Sequence, residues 1–418
     1  MSIENELPKN WKIVSLTNDL NYIKTGVGAY SGKKKYYSTG SIKDNKITHE
    51  GEYSFVEKPS RANRIAIIGD IFQARMKNTD KAVLIKSDLD GQLFSTGFFQ
   101  IRTDEISVNN KFIFYFLKSL NFTQLKDKLC SGSTQEALND KGASKIYIPI
   151  PPITEQQLIV SKIEQLFSEI DNGKKQFETA LQQLKVYRQS LLMWAFEGKL
   201  TYKNVKNGEL PDGWKWVKID YFLNDTKKGI KTGPFGTMLK KNEHLKNGIP
   251  VLGIENIGNG IFQMPNKIFI SKEKAIELKN YKVLENDIII SRSGTVGEIC
   301  LLPKIMENSI VSTNLIKLSL NQNIIKPKYF VYLFQGGNVR QQVFKLCKGS
   351  SRAFLNQTIL KTISFPICSL EEQGNIIDEI ESKLSINDKI EETITNSLNQ
   401  SETLRYSILK KAFEGKLV

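Results

Sequence analysis

The sequence predicts an α+β fold: two mixed α/β domains alternate with two long helices that pair as an antiparallel coiled coil, an internal pseudo-two-fold repeat. Three observations predict it. The chain repeats itself, a heptad-patterned segment follows each mixed region, and the basic charge sits on the mixed regions. Leu7-Pro8-Lys9-Asn10-Trp11-Lys12 returns as Leu210-Pro211-Asp212-Gly213-Trp214-Lys215 at an offset of 203, and Ala195-Phe196-Glu197-Gly198-Lys199-Leu200 as Ala412-Phe413-Glu414-Gly415-Lys416-Leu417 at 217. The second offset runs without a gap from about residue 69 to 200. Gly69-Asp70-Ile71 faces Asn286-Asp287-Ile288, Arg75 faces Arg292, Cys130 faces Cys347, Leu138-Asn139 faces Leu355-Asn356, and Glu155-Gln156 faces Glu372-Gln373. The two offsets differ by 14 residues, an insertion early in the second copy.

Within the first copy, Ile65-Ala66-Ile67-Ile68, Ala82-Val83-Leu84-Ile85 and Gly97-Phe98-Phe99-Gln100-Ile101 read as strands between turn residues. Lys111 to Leu120 reads as a helix. In the second copy the corresponding pieces are Asp287 to Ile290, Ile299 to Leu302, Asn314 to Leu318 and the helix Lys328 to Phe334. Pro-rich breaks, Ile148-Pro149-Ile150-Pro151-Pro152 and Phe365-Pro366-Ile367-Cys368, close the mixed regions because X-Pro resists helix. After the first break, Ile163, Ile170, Phe177, Leu184 and Leu191 recur every seven residues, with Ile159, Leu166, Gly173, Ala180, Tyr187 and Trp194 in the other seam position. Thr154 and Gln157 resemble a capping box, Gly198 a stop, and a continuous helix between them would be about 66 Å long. The second copy keeps Ile376, Ile380, Ile390, Ile394, Leu404 and Ile408 but places Lys383, Asn387, Ser397 and Ser401 in the seam. The boundaries that follow are 1–150 and 207–367 for the mixed domains, 151–206 and 368–418 for the helices.

Lys and Arg outnumber Asp and Glu by 59 to 44, a net charge of +15. By region the net charge is +6 over 1–150, +2 over 151–206, +11 over 207–367 and −4 over 368–418. Two basic modules joined by near-neutral rods suit a polyanion; lysine decorating an ordinary surface is the plain alternative. No apolar run approaches the roughly 18–20 residues that span a bilayer, and Met1-Ser2-Ile3-Glu4 does not open a secretory signal. The 4 cysteines are scattered, which fits a reducing, cytoplasmic setting and offers no zinc framework.

Catalytic patterns are missing. Gly32-Lys33-Lys34 lacks the first P-loop glycine, and Gly26-Val27-Gly28 meets Ser31 where a dinucleotide fingerprint needs its third. His49 and His244 are the only histidines, too few for a His-based metal site, and a Ser-His-Asp triad is improbable. There is no Asn/Asp-Pro-Pro-Tyr/Phe base clamp. The Asp-x-Lys triplets at Asp44 and Asp225 are what a Lys-rich chain contains by chance. The chain reads as a binder with no catalytic, cofactor or metal residues of its own.

The alternation, the paired motifs Leu-Pro-x-x-Trp and Ala-Phe-Glu-Gly-Lys-Leu, and the loops Ser291-Arg292-Ser293-Gly294-Thr295-Val296-Gly297 and Gly349-Ser350-Ser351-Arg352 resemble the DNA-specificity subunit of Type I restriction–modification systems. So does Lys231-Thr232-Gly233-Pro234-Phe235-Gly236. The first copy departs from the family at Ala74-Arg75-Met76-Lys77, which lacks the loop glycines. The resemblance implies a non-catalytic subunit whose mixed domains are target recognition domains, each reading half of an asymmetric, interrupted double-stranded DNA sequence. Its helices would set the spacing and dock two adenine-methyltransferase subunits, joined by motor-nuclease subunits. S-adenosylmethionine, ATP and Mg²⁺ would belong to those partners. A coiled-coil adaptor with basic RNA- or protein-binding domains, and a self-sufficient nuclease, are the competing readings.

Candidate DNA contacts follow from residue chemistry. Arg75 and Arg292, each straight after a strand, can read guanine, clamp phosphate or pair with a carboxylate; Lys77 lies beside the first. Ser293, Gly294 and Thr295 offer hydroxyls and close backbone approach, or merely a tight turn. Ser133, Thr134 and Gln135 match Ser350 and Arg352 in a second polar loop. Lys33, Lys34, Lys35 and Tyr36 combine charge with an aromatic face, and Lys231, Thr232, Lys240 and Lys241 add polar groups in the second domain.

Overall fold

The computed structural model describes residues 7–418 except 44–45, 134, 207, 236–237, 259 and 348–353. The chain forms two compact units, Met1–Glu178 with Thr395–Val418, and Thr179–Ile394. The division cuts both long helices, Ile153–Phe196 and Leu370–Phe413, each of 44 residues. Each unit therefore holds one mixed domain and a stretch of both helices.

In the first unit an antiparallel sheet runs in the order Asn21–Ile23, Phe98–Arg102, Ile71–Ala74, Ala82–Leu84. A second sheet orders Gly51–Tyr53, Lys34–Tyr37, Leu93–Ser95 and Ala62–Ile65, and Lys12–Ser15 pairs with Tyr147–Ile150. The second unit repeats this frame. One sheet holds Ile230–Thr232, Leu315–Leu318, Ile288–Ser291 and Ile299–Leu301, another Ile268–Ile270, Ile249–Leu252 and Ile310–Val311, and Lys215–Lys218 pairs with Ser364–Ile367. Strand register locates the extra residues of the second copy. The offset is 203 at Lys12/Lys215, 208 at Tyr22/Ile230, 215 at Tyr36/Val251 and 217 from Tyr53/Ile270 onward. The expected single insertion is thus divided among three loops.

Two expectations about local structure are corrected. The strand read as Ile65–Ile68 ends at Ile65, and Ile67 and Ile68 are exposed. Asp70 captures the Ile67 amide at 2.9 Å, closing a turn through Gly69 at φ +89°. The strand after it, Ile71–Ala74, is the true counterpart of Ile288–Ser291 and went unread. The helix read as Lys111–Leu120 is two, Asn110–Leu117 and Leu120–Leu129, divided by Ser119 capping the second.

The repeated end motifs meet each other crosswise. Pro211, from the second opening motif, packs on Gly198 from the first closing motif, and Pro8 packs on Gly415. A Cβ at Gly198 would fall 2.1 Å from Pro211 Cγ, and one at Gly415 2.5 Å from Pro8 Cγ, so both sites need glycine for contact as well as for their positive φ. Trp11, almost buried, donates its indole N–H to Glu155 at 2.9 Å.

Each long helix is locked to its domain by a buried glutamine. Gln156 accepts the Asn109 amide at 2.8 Å and donates to Ser107 and Pro151 carbonyls at 2.9 and 2.8 Å. Gln373 accepts the Lys326 amide at 2.8 Å and donates to Ile324 and Cys368 carbonyls at 3.0 and 3.1 Å. The first helix starts at Ile153, so Thr154 lies inside it rather than capping it, and the Pro152 carbonyl accepts from Glu155 and Gln156.

A second lock is also duplicated. In the first unit Lys111 and Tyr115 reach Glu164 at 2.8 and 3.4 Å, and Arg405 pairs with Asp171. In the second unit Lys328 and Tyr332 reach Glu381, the tyrosine at 3.2 Å, and Arg188 pairs with Asp388. All five positions obey the 217 offset. Burial, then the adjacent carboxylate, pushes both tyrosine hydroxyls up to about 12, so each stays a donor. The pairs Asp171–Arg405 and Lys174–Glu402 run in opposite chain directions, which makes the helix pairing antiparallel.

The seam follows the expected residues at its ends and departs from them between. Ile159, Ile163 and Leu191 are buried, whereas Tyr187 and Trp194 are exposed, with Leu192, Ala195 and Phe196 buried in the last turns instead. On the second helix Ile380, Asn387, Ile394 and Ile408 are buried while Ile390 and Leu404 are exposed. Asn387, read as a polar seam residue, is indeed buried there, and its Oδ1 lacks a partner among the described residues. Replacing Gln156 or Gln373 by Leu should orphan one buried amide and two carbonyls, costing about 2–4 kcal/mol; thermal unfolding of the full chain measures it.

Candidate nucleic-acid interface

In the first unit, Arg75 continues from the strand Ile71–Ala74. Its amide donates to Gly97 O at 2.9 Å, and its carbonyl accepts from Leu138 N at 2.8 Å. Bridges Met76–Ala137 and Ser131–Ala137 lay loop 75–78 against loop 131–137. Arg75, Lys77, Ser133 and Gln135 are thereby gathered into one cluster, while Thr134 lies outside the described residues. Lys77 is tied to Glu136 at 2.6 Å; Ser133 and Gln135 are exposed. The Arg75 guanidinium faces inward, donating to Leu138 O at 3.0 Å, Tyr22 Oη at 2.6 Å and Asp140 Oδ1 at 2.9 Å. Tyr22 itself donates to Asp140 at 2.8 Å. Although burial would raise it, these hydrogen bonds from Tyr22 and Arg75 hold the Asp140 carboxyl below the usual carboxylate range.

Beneath the loop lies Lys126, wholly buried, whose ammonium donates to Met76 O and Thr79 O at 2.6 Å each and lies 3.3 Å from Asp127. It supplies the backbone partners that a loop without glycines needs. Sequence reading missed Lys126, Tyr22 and Asp140, because nothing in their local pattern signals an inward polar role. Lys33, just before the strand Lys34–Tyr37 of the other sheet, and Lys35 within it are exposed, but Lys34 turns to Gly91 O at 2.7 Å. Tyr36 is buried with Ala62 and Leu93, so the aromatic face expected there to help contact the DNA backbone is part of the core.

The second unit builds the same frame around Arg292. Its amide donates to Asn314 O and its carbonyl accepts from Leu355 N, both at 2.9 Å. The side chain is only 7% exposed. One terminal nitrogen reaches Thr313 O at 3.1 Å, and the guanidinium lies 4.3 Å from the Phe354 ring and 6.0 Å from the Phe235 ring. Its Nε has no partner, and no carboxylate pairs with it, among the described residues. Burial lowers its pKa. Ser293 bonds Asn314 at 2.9 Å, Thr295 bonds Ser291 at 3.2 Å, and Gly294 takes φ +76° in the turn between them. Thr232 accepts from Gln357 at 3.1 Å, with Lys231 half-buried beside it. Lys240 and Lys241 are exposed at a turn closed by Glu243. Ser350 and Arg352 lie outside the described residues. Arg340, which sequence reading passed over, holds the far end of the loop through Gly297 O and Glu298 at 2.8 and 2.6 Å.

Among the described residues no cluster of His, Cys, Asp or Glu could hold a metal, and no helix is long and apolar enough to cross a membrane. The family model for the Type I restriction modification DNA specificity domain matches residues 8–178 and 213–400. The chain belongs to this specificity-subunit family. It is 27% identical over 330 residues to the EcoBI specificity subunit of Escherichia coli, covering 76% of this chain and 68% of that one. It is also 27% identical over 312 residues to the EcoKI specificity subunit of E. coli K12, covering 73% of this chain and 65% of that one. The aligned part thus spans about two thirds of these relatives' length. A solved chain, from work on complex assembly and conformational transition of the type I R-M system, shares the fold at TM-score 0.74 and 22% identity, covering 98% of this chain and 99% of that one. As a specificity subunit the chain is non-catalytic, which matches the missing motifs.

Two outcomes test the first-unit loop of this specificity subunit. Lys126→Met leaves Met76 and Thr79 carbonyls unpaired and should cost about 2–3 kcal/mol in chemical denaturation. The Asp140 pin is depressed in the folded state, so its stabilisation is full above the unfolded value near ~4 and lost as pH falls through the folded one. Comparing wild type with Asp140→Asn across acid pH should show the stability difference vanish at the low end.

Proposed function

We propose that this specificity subunit reads a bipartite, asymmetric stretch of double-stranded DNA, one half-site per mixed domain. Residues 1–150 and 207–367 are its target recognition domains, and residues 151–206 and 368–418 its spacer helices. The observation that carries the reading is the repeated loop cluster: each unit presents an arginine in the same backbone frame, flanked by polar loops, on a domain of net positive charge. Within the clusters the DNA-facing groups are Lys77, Ser133 and Gln135 in one domain and Thr232, Arg292, Ser293, Gly294 and Thr295 in the other. Lys33, Lys35, Lys231, Lys240 and Lys241 serve the phosphate backbone.

Two adenine-methyltransferase subunits dock on the helices, and motor-nuclease subunits complete the restriction complex in the cytoplasm. S-adenosylmethionine, ATP and Mg²⁺ are bound by those partners. Exposed apolar side chains on the long helices support the docking role: Ile386 is 58% exposed and Leu404 51%, with Trp194 and Ile390 also open to solvent. Two outcomes test the proposal. Affinity for the cognate duplex should fall steeply with salt through counterion release, measured by fluorescence anisotropy; a flat salt response would refute contact through the basic domains. Ile386→Glu with Ile390→Glu should weaken assembly with the methyltransferase subunits at least tenfold in a pull-down titration, without lowering the melting temperature.

A further inference from the structure

The two arginines at the repeated position share their backbone bonds and nothing else. Arg75 and Arg292 each donate to the residue that opens the next strand and accept from the leucine 63 positions on, Leu138 and Leu355. Every polar side chain that holds Arg75 is replaced around Arg292. Asp140 becomes Gln357, which turns to Thr232. Tyr22, opposite Ile101 in the sheet, becomes Ile230, opposite Leu318. Ala137 becomes Phe354, whose ring lies 4.3 Å from the Arg292 guanidinium. Arg292 is a buried residue whose guanidinium has one carbonyl, Thr313 O, and the Phe354 ring as partners, while its Nε is unpaired and no carboxylate faces it among the described residues, so its desolvation is only partly offset.

We infer, resting on the DNA-reading proposal above, that Arg292 is a specificity-determining residue of the second recognition domain, left available for a guanine because Gln357 stands where Asp140 neutralises Arg75. The Phe354 ring packs 4.3 Å from the guanidinium carbon and one terminal nitrogen is held by Thr313 O, which leaves the other terminal nitrogen without a partner among the described residues to donate toward the O6 and N7 acceptors of guanine. Arg75, by contrast, is a structural cation: its charge is spent on Asp140 and its donors on Tyr22 and Leu138. The two domains therefore read their half-sites through different positions of one shared frame.

The test uses the full chain assembled with its methyltransferase subunits, after the methylated adenines of a host carrying the system have been sequenced to give the site. Arg292→Ala should lower affinity for that duplex by about 5- to 150-fold and abolish discrimination at one G·C pair of one half-site. Gln357→Asp should do the same at the same pair, by giving Arg292 the carboxylate that Arg75 has. An aspartate there also opens the helix Gln357–Thr362, where negative charge is favourable, so this variant should fold as well as wild type. Discrimination at the other half-site serves as the internal check on folding. Full discrimination at both half-sites in either variant overturns the inference. So does a loss equally large on an unrelated duplex, which would make Arg292 a phosphate clamp. Wild-type complex that prefers no duplex would sink the DNA-reading proposal itself.

Discussion

The architecture depends on satisfying backbone groups where a long helix leaves a mixed domain. Gln156 and Gln373 do this with one fully buried side chain each, which accepts an amide at the start of a neighbouring helix and donates to two carbonyls. A buried polar group is tolerable only when all its bonds are made. The glutamine therefore admits essentially one arrangement of the helix start, the Pro-rich strand before it and the domain's own helix. The Glu164 and Glu381 clusters then hold that arrangement about two helical turns further along. As surface ion pairs they contribute little energy individually; their value is directional.

With the frame set this way, the loop clusters can diverge. The same strand, the same leucine amide and the same glycine or asparagine carbonyl receive both arginines. What differs is the lining, tyrosine and aspartate in one domain, isoleucine, glutamine and phenylalanine in the other. The loop without glycines is supported by the buried Lys126, where the second unit has Val343 packed near Gly297. A rigid frame with exchangeable linings lets one fold serve two recognition tasks.

The long helices illustrate a different compromise. Their apolar seam is continuous only where a domain covers it, and the intervening contacts are polar, including the buried Asn387 and the Asp171–Arg405 pair. Polar seam positions cost stability but fix register. The apolar residues the heptad pattern assigned to that seam, Ile390 and Leu404, face solvent instead.

The linear sequence determined the repeat, the alternation of mixed regions with helices, the family, and the absence of catalytic motifs, because each is carried by residues in fixed order and by periodicity. It also paired Arg75 with Arg292. It misread Ile65–Ile68 as a strand because apolar runs do not reveal that Asp70, two residues later, ends them with a turn. It placed Tyr36 at the surface because charge and aromaticity do not say which way a strand faces. Only the tertiary structure decided that Arg75 is neutralised and Arg292 is not. The deciding residues, Tyr22 and Asp140 against Ile230 and Gln357, lie tens of positions away in the chain, and whether a buried guanidinium is paired is set by what the fold brings within a hydrogen bond of it.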